Sequence, residues 1–483
     1  MSPSTGPKIR PPAPYHRGVL KQYVHSYRGE VAATLILATP IVATQVAHIS
    51  LSFVDTIMVG RLGPESLAGI ALGNTVFFTL IVMAMGIVMA VGPMVSQAFG
   101  AGEQDPIGRS VRQGLWLSLC LALVVMVVYE NAYPLLVAAG QEPATAALAA
   151  EYLSAIKWSA FPFLGFIALR NFVEGVSRPR AVTAIAFLGV GLNVLANWVL
   201  MFGKWGFPEL GLVGTGWASS IVHTANCLLL AAFIATRPEF RPYQIFSKLG
   251  RPDFSYFRQL FRIGWPIGAS FGVETTLFMG TLLMMGWIGT TSLAAHQVAI
   301  QCAAFTFMIP LGIGLAASVR VGQAVGRGDA AGARRAGIVS TGLSVVFMTL
   351  TALLFWLAPR FVVGIYLDLD APANAEVIQV AVGLLSVAAF FQIADGVQVS
   401  LAGALRGFKD TAVPMVIAVV SYLGIGLAAG YTLGFTAGYG GQGLWWGLVI
   451  GLAVAATLLL FRFRRLSSRA LAPTGVAARG PLD

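Results

Sequence analysis

The chain has 483 residues, of which 57% are hydrophobic and only 11% are charged, and its mean hydropathy is +0.78. About 25% of the residues of a typical soluble domain are charged, so this composition excludes an ordinary soluble protein and predicts repeated membrane spans. The net charge of +11 does not indicate nucleic-acid binding, because the basic residues fall between apolar runs and form no stripe with interleaved aromatic side chains.

The chain opens with a polar, proline-rich segment, residues 1–30, that lacks a short apolar stretch ending in a cleavage site. This pattern predicts a cytoplasmic tail rather than a signal peptide. Twelve apolar runs follow, each long enough to cross about 30 Å of hydrocarbon. The sequence therefore predicts an all-α integral membrane protein with twelve transmembrane helices, at residues 32–58, 66–97, 112–133, 147–173, 181–203, 212–236, 261–287, 292–318, 337–358, 375–403, 412–436 and 442–463.

The distribution of Lys and Arg supports this layout. If both termini are cytoplasmic, the inner segments hold 26 Lys and Arg, whereas the outer loops hold only three, Arg61, Lys204 and Arg360. This asymmetry is the positive-inside signal. We therefore expect a multi-pass protein with both termini in the cytoplasm. The Ala- and Gly-rich composition and the preference for Arg over Lys favour a bacterial source and its cytoplasmic (inner) membrane.

The chain also repeats itself with a shift of 226 residues. Pairs such as Gly86 with Gly312 and Gln97 with Gln323 coincide, so each repeat carries six spans. An even number of spans leaves both copies inserted in the same direction, which predicts two six-helix lobes related by a pseudo-two-fold axis along the membrane normal. The expected units are an N-terminal tail (1–30), an N-lobe (31–236), a cytoplasmic linker (237–260), a C-lobe (261–465) and a C-terminal cytoplasmic tail (466–483).

Acidic residues within spans are candidate ion-coupling sites, because a carboxylate there costs about 2.5–3.5 kcal/mol on insertion scales. Gln45, His48, Ser52 and Asp55 are spaced to share one face of the first helix. A hydrogen-bonded seam between helices is the structural alternative for Asp55. Another is that Asp55 lies near the outer interface and helps to end the span.

The second half carries two further acidic residues within spans. Glu274 lies in the seventh span, where the repeat aligns it with His48, and Asp395 lies in the middle of the tenth span, three residues after Gln392. Binding of a proton or coordination of a cation are the functional interpretations for both. A polar contact with another helix is the structural one.

The remaining polar residues of the spans leave more than one interpretation open. Asn193 and Asn197 are four residues apart on one helix face, where helix packing is as good an explanation as function. Arg170 and Glu174 have the same spacing, which predicts an interfacial ion pair at the cytoplasmic end of the fourth span. His296 and Gln297 in the eighth span are ambiguous.

Several segments resemble the multidrug and toxic compound extrusion (MATE) family, in its bacterial NorM-like branch. They are FVDTIMVG (53–60), GLNVLANW (191–198), PELGLVGTGWA (208–218), GVETTLF (272–278), AAHQVAI (294–300), GLAASVRVGQAVGRGD (314–329) and QIADGVQVSLAGALRGFKD (392–410). They fall in both halves and cover nearly all of the span region. The resemblance implies a two-lobe antiporter that uses a Na⁺ or H⁺ gradient to export cationic, lipophilic small molecules and needs no other cofactor.

The resemblance also implies roles for individual residues. Asp55 corresponds to the coupling carboxylate of the N-lobe, and Glu274 and Asp395 correspond to the carboxylates of a Na⁺ site in the C-lobe. The side chains expected to line the substrate cavity are Gln45, His48, Ser52, Asn193, Asn197, Thr215, His296, Gln297, Phe391 and Gln392. This chain departs from the pattern at Phe391, where relatives often have a tyrosine, and at Asn197, where some archaeal relatives have aspartate.

Other functions are less consistent with the sequence. A flippase for lipid-linked saccharides typically lines its cavity with several basic residues, whereas carboxylates dominate the spans here. A membrane-embedded enzyme needs a nucleophile with its base or a metal set, and no such constellation is found. We expect a monomer in contact with membrane lipid, with small molecules as its partners and no nucleic acid.

Overall fold

The structure is a computed structural model that describes the backbone of residues 16–471 and the side chains of 27–63, 66 and 68–469. The prediction of twelve membrane helices is confirmed, and the described residues form no strand. The helices are α1 (Tyr27–Gly60), α2 (Ala68–Ala101), α3 (Gln104–Glu130), α4 (Pro143–Gly175), α5 (Arg180–Met201), α6 (Gly211–Thr236), α7 (Phe254–Ile288), α8 (Thr290–Gly326), α9 (Ala330–Leu357), α10 (Pro372–Gly407), α11 (Ala412–Thr436) and α12 (Gly440–Arg469).

The helices extend into parts of the predicted tails. The bounds given above are those of the membrane spans; the helical backbone of α1 begins earlier, at His16, and that of α12 ends later, at Leu471. Residues 1–15 and 472–483 of those tails lie outside the described residues. Shorter helices precede α4 and α10, at Ala132–Ala138 and Pro359–Gly364.

Each lobe is organised around its own apolar core. One large cluster of buried side chains draws its members from residues 59–263, and another draws its members from residues 277–455. Helix α7 takes part in both, with Leu260 and Ile263 in the first cluster and Leu277 in the second. The first third of α7 therefore packs on the N-lobe, although the rest of the helix belongs to the C-lobe.

Equivalent glycines bring the two lobes into close contact. A Cβ on Gly86 of α2 would lie 2.6 Å from the Cα of Gly268 in α7, and a Cβ on Gly312 of α8 would lie 2.9 Å from the Cα of Val42 in α1. The 226-residue shift relates these two contacts to each other. Because equivalent residues make equivalent contacts, the lobes are related by the predicted pseudo-two-fold axis.

The lobes also contact each other at the end of the bundle that carries the basic loops, which we call the basic end. There α2 crosses α8, and Gln97 Nε2 donates to the Gly407 carbonyl at 2.8 Å. Gln323 Nε2 in turn donates to the Gly175 carbonyl at 2.9 Å and to Ser177 Oγ at 2.8 Å. We call these reciprocal bonds of Gln97 and Gln323 the glutamine clasp.

Glycines at the same crossing allow the backbones to meet. A Cβ on Gly100 would lie 2.1 Å from the Gln323 carbonyl oxygen, and a Cβ on Gly326 would lie 2.0 Å from that of Gln97. No other residue fits at these two positions without a shift of the helices. The basic end of the molecule is therefore closed by direct backbone contact between the lobes.

The segment between the lobes is docked on the N-lobe. Its carbonyls accept hydrogen bonds from three side chains of α3: Arg112 donates to Gln244, Gln113 to Arg251 and Trp116 to Leu249. Asp253 then caps α7 by accepting from the backbone N–H groups of Ser255 and Tyr256. The first part of the linker thus lies against α3 and does not run free between the lobes.

Three helices are locally irregular. Helix α2 is interrupted at residues 89–90, α4 contains a 3₁₀ turn at Lys157–Ser159, and α11 contains two π-helical segments, Val419–Leu427 and Thr432–Thr436. Such π segments are frequent at functional sites. The first of them places the buried ring of Tyr422 beside the acidic site of the C-lobe described below.

Candidate transport cavity and its buried charges

A cavity of about 400 Å³ lies within the N-lobe, beyond the closed basic end. The predicted polar stripe of α1 faces it, so Gln45, His48, Ser52 and Asp55 all contribute to its wall. The other polar groups of the wall come from α2, α4, α5 and α6: Asn74, Tyr152, Arg170, Asn193, Ser219 and His223. Aromatic rings of α2 and α4, those of Phe77, Phe78 and Phe163, supply much of its apolar surface.

The Asp55 carboxylate is held by amides of α5. Its Oδ1 accepts from Asn197 Nδ2 at 2.7 Å and from Asn193 Nδ2 at 3.1 Å, while its Oδ2 is 3.4 Å from Ser219 Oγ of α6. Only 8% of Asp55 is exposed. The hydrogen-bonded seam between helices, which was the structural alternative for Asp55, is therefore present. The same carboxylate also lines the cavity.

Three side-chain oxygen atoms of α5 and α6 have no hydrogen-bond partner among the described residues. They are Asn193 Oδ1, Asn197 Oδ1 and Thr215 Oγ1, and all three are buried. Leaving a buried polar atom unpaired costs about 1–3 kcal/mol, so such a group is a natural place for a water molecule or a cation. Two of these oxygens belong to the amides that hold Asp55, and amide and carboxylate oxygens are ligands of the hard type that such cations take.

A second cavity of about 290 Å³ adjoins the first, between the lobes. Gln45, Arg170 and several apolar side chains line both cavities, while Glu274 and Thr275 of α7 line only the second. Helices of the N-lobe and of the C-lobe both contribute to this wall. Asp55 and Glu274 therefore face two spaces that share a boundary.

Arg170 and Glu174 form the predicted pair, with Arg170 Nε 2.7 Å from Glu174 Oε1. Both residues are buried, with Arg170 5% exposed and Glu174 3% exposed, so the pair lies inside the protein near the end of α4. Helix α4 ends at Gly175, where it is covered by α2 and α8 of both lobes. The pair consequently forms part of the wall of the cavity between the lobes.

Glu274 has a basic neighbour that the sequence analysis missed. Arg406 was assigned to a basic loop, but α10 continues to Gly407 and carries Arg406 into the C-lobe. There the guanidinium lies over the Phe271 ring, 5.4 Å from its centroid, and lines a small pocket together with Glu274 and Tyr422. Glu274 and Arg406 interact electrostatically in this pocket. Extending the predicted tenth span beyond residue 403 would have placed Arg406 on that helix.

Asp395 lies deeper in the C-lobe than Glu274. It is 4% exposed and lies within electrostatic reach of the Glu274 carboxylate. It lines none of the three spaces described above. The two acidic residues of the C-lobe thus influence each other electrostatically, and of the two only Glu274 lines one of these spaces. Among the described residues, no group of three or more His, Cys, Asp or Glu side chains is placed to hold a metal ion.

The remaining predicted residues of the C-lobe are His296, Gln297, Phe391 and Gln392, and three of them make contacts inside the lobe. Phe391 stacks edgewise on Trp445, whose Nε1 donates to His296 Nδ1 at 3.2 Å. Gln392 Oε1 accepts from Thr306 Oγ1 at 3.1 Å, and its Nε2 is buried without a partner. Gln297 is exposed. None of these four predicted residues lines the cavities described here.

Twelve membrane helices in two pseudo-symmetric lobes, with largely apolar cavities mainly within one lobe and between the two that carry a few buried charged groups, define a membrane transporter. Residues 40–199 and 266–432 match the MatE family, and the second match begins one repeat after the first. The chain belongs to the MatE family, which is a family of transporters and not of enzymes.

Curated relatives cover nearly the whole chain. A protein of Mesorhizobium japonicum is 42% identical over 91% of this chain and 94% of its own length, and one of Rhizobium meliloti is 41% identical over 93% and 97%. A protein of Synechococcus is 40% identical over 92% and 96%. Each of these relatives is described as a probable multidrug resistance protein NorM. The chain is therefore a bacterial NorM-like member of the family.

Solved structures show the same fold at low sequence identity. A eukaryotic MATE transporter superimposes with a TM-score of 0.82 at 20% identity, covering 92% of this chain and 99% of the other. A transporter of the MOP superfamily from Pyrococcus furiosus also gives 0.82, at 19% identity, covering 93% and 98%. These similarities show the arrangement of the helices and do not identify the transported molecule.

Proposed function

We propose that this protein is a secondary active multidrug exporter, which expels cationic or lipophilic small molecules in exchange for Na⁺ or H⁺ by alternating access of its two lobes. The observation that carries the proposal is that Asp55 and Glu274 face adjoining cavities beyond a closed basic end. The names of the NorM relatives support the cargo class. The basic end would face the cytoplasm of the bacterial inner membrane, following the positive-inside distribution.

Coupling requires that the ion and the drug favour different states, because a ligand shifts an equilibrium only through its differential affinity. A carboxylate that is protonated or bound to Na⁺ attracts a cationic drug less strongly than a free one. Entry of the ion from outside would therefore release the drug outward. One charge moving across 100 mV supplies about 2.3 kcal/mol, which supports a gradient of roughly forty-fold.

The coupling sites follow from the two environments. Glu274 and Asp395 are carboxylates within electrostatic reach of each other, and they would hold Na⁺ together with nearby oxygens. Asp55 is a single carboxylate with amide partners, which suits protonation, and its unpaired oxygen neighbours also suit a hard cation. We favour Na⁺ at the C-lobe pair and a proton at Asp55.

Alternating access would open the glutamine clasp and close the opposite end. In the clasp, Gln97 and Gln323 each donate to a backbone carbonyl of the opposite lobe, so both halves would release together. The linker up to Arg251 would move with the N-lobe, since α3 holds it through three hydrogen bonds. The pivot would then lie between Arg251 and the capped start of α7 at Phe254.

Dye efflux from proteoliposomes tests this function. A cationic fluorescent dye is loaded, and a Na⁺ gradient is imposed with the pH clamped on both sides. A pH gradient is then imposed with Na⁺ equal on both sides. We expect saturable efflux with the first gradient and weaker efflux with the second. Efflux that ignores both gradients would contradict coupling, and saturable uptake of a lipid-linked saccharide instead of the dye would assign another cargo.

A further inference from the structure

The walls of the two cavities carry a positively charged side chain, Arg170, as well as carboxylates. Arg170 lines both the N-lobe cavity and the cavity between the lobes, and 95% of its surface is buried there. A guanidinium stays charged in proteins. A permanent positive charge in the wall does not favour the binding of cations. The hydrogen bonds of Arg170 show which of its N–H groups remain free for a ligand.

The protein uses one side of the guanidinium. Arg170 Nε donates to Glu174 Oε1 at 2.7 Å, and Nη2 donates to Gln45 Oε1 at 2.7 Å. These two bonds use the N–H of Nε and one of the two N–H groups of Nη2. Among the described residues, no side chain or carbonyl accepts from Nη1 at hydrogen-bond distance. Both N–H groups of Nη1 and one N–H group of Nη2 are left over, and we call the side of the guanidinium between Nη1 and Nη2 its end-on edge.

A guanidinium edge of this kind binds planar anions in a bidentate manner. We propose that the end-on edge of Arg170 is an anion subsite of the transport cavity, which binds the carboxylate of zwitterionic substrates. The cationic end of such a substrate would face Glu274 in the same cavity or Asp55 in the adjoining one. This inference rests on the proposed export function and adds a substrate class to it.

The surroundings of Arg170 suit such a ligand. Phe78 lines both cavities, and Phe77 and Phe163 line the larger one, so an aromatic body would lie against rings. Glu174 does not repel the anion as a free carboxylate would, because it is already bonded through Nε on the opposite side. Gln45 orients the guanidinium plane from α1.

The alternative is that Arg170 only neutralises Glu174 and ties α4 to α1. A matched pair of dyes separates the two roles: a rhodamine with a free carboxylate, which is a zwitterion, and its methyl ester, which is a cation of the same shape. Binding of each to the purified protein is measured by fluorescence polarisation, and export is measured in proteoliposomes. The main variant is Arg170→Gln with Glu174→Gln, which removes both charges together and leaves no unpaired buried charge.

We expect the wild type to bind the acid and the ester with similar affinity. The double variant should lose at least about tenfold in affinity for the acid, as expected for a lost charge-assisted hydrogen bond. Its affinity for the ester should change by less than about threefold. Arg360→Gln, which removes an exposed guanidinium far from the cavity, is the control and should leave both dyes unaffected.

Arg170→Lys is the variant to use if the double variant does not fold. It keeps the positive charge but loses the planar pair of N–H donors, so it should bind the acid with intermediate affinity. Equal losses for acid and ester, or no loss for either, would overturn the anion subsite. A wild type that binds the ester but not the acid would do the same. Binding of both dyes without export under either gradient would overturn the exporter and leave the subsite standing.

Discussion

Gln97 and Gln323 occupy equivalent positions in the two halves of the chain, and each donates its side-chain amide to a backbone carbonyl of the opposite lobe. The acceptors are Gly407, at 2.8 Å, and Gly175, at 2.9 Å. These carbonyls belong to the last residues of α10 and α4, the fourth helices of the two halves. The closed basic end is thus held by one interaction that is made twice.

Replacing these glutamines should open the basic end. Each hydrogen bond contributes about 0.5–1.5 kcal/mol, so Gln97→Ala or Gln323→Ala should raise the population of the open state by about two- to twelvefold. The double variant should have the larger effect. Gln323 also donates to Ser177 Oγ, so Gln323→Ala should have an effect at least as large as that of Gln97→Ala.

The reporter for this change is a cysteine at Ser96, which is fully buried beside the clasp. With Cys120, Cys227 and Cys302 replaced by alanine, Ser96→Cys should react with a membrane-impermeant maleimide only when the basic end opens. Gln301→Ala, an exposed glutamine of α8, is the control and should leave the labelling rate unchanged. Unchanged labelling in both clasp variants would show that the glutamines do not hold the gate.

Gly326→Ala should open the same end by a different route. Its Cβ would lie 2.0 Å from the Gln97 carbonyl oxygen, so α2 and α8 must separate. Overpacking of this kind typically costs about 1–3 kcal/mol. Labelling of the Ser96 reporter should therefore increase about fivefold or more. Gly342→Ala on α9, where nothing lies within 4 Å of the new Cβ, is the matched control.

Asp55→Asn should uncouple export from the ion gradient while the protein still inserts. The substitution removes the negative charge, and its own amide group leaves the donors of Asn193 and Asn197 with a weaker acceptor. Gradient-driven dye efflux should fall to the level of empty liposomes. Ser52→Ala on the same face of α1 should retain most of the activity. Wild-type efflux by Asp55→Asn would remove this carboxylate from the mechanism.

Glu274→Gln and Asp395→Asn should each abolish drug export. Both substitutions preserve the shape of a side chain in the C-lobe pair and remove one of its two charges. If Na⁺ binds there, each variant should also lose the stabilisation by Na⁺ that is measured as a rise in melting temperature. A variant that transports normally in vesicles would refute the assignment of that residue.

Asp253 should give the start of α7 a measurable pH dependence. The hydroxyl of Ser255, together with backbone N–H groups of α7, lowers the pKa of Asp253 below its usual value. A depressed pKa in the folded state contributes stability above the usual pKa, and this contribution is lost as the pH falls through the folded-state pKa. The melting temperature of the wild type should therefore decline relative to that of Asp253→Asn, an uncharged cap, as the pH falls from neutral.

The loss of the cap itself gives a second measurement at the same residue. Asp253→Ala should cost about 0.5–2 kcal/mol at neutral pH, as for other N-caps. Asp253→Asn should cost less, because an amide still accepts from the backbone of Ser255 and Tyr256. Equal melting temperatures for all three proteins at every pH would show that this cap contributes nothing.

Much of the fold followed from local patterns. Apolar runs and the asymmetry of Lys and Arg predicted twelve spans, because a membrane imposes a length and a polarity on every helix independently of its neighbours. The 226-residue repeat predicted the two lobes for a similar reason, since equal segments form equal helices. The stripe from Gln45 to Asp55 was also visible, because it depends only on helical periodicity.

Contacts between helices that are distant in the chain depended on the tertiary structure. The spacing of Arg170 and Glu174 predicted their pairing but not their burial, which comes from α2 and α8 packing over the end of α4. The approach of Arg406 to Glu274 and the binding of Asp55 by two amides of α5 likewise join different helices. Periodicity predicts which face of a helix is polar, but the residues that this face contacts are decided by the packing of the helices.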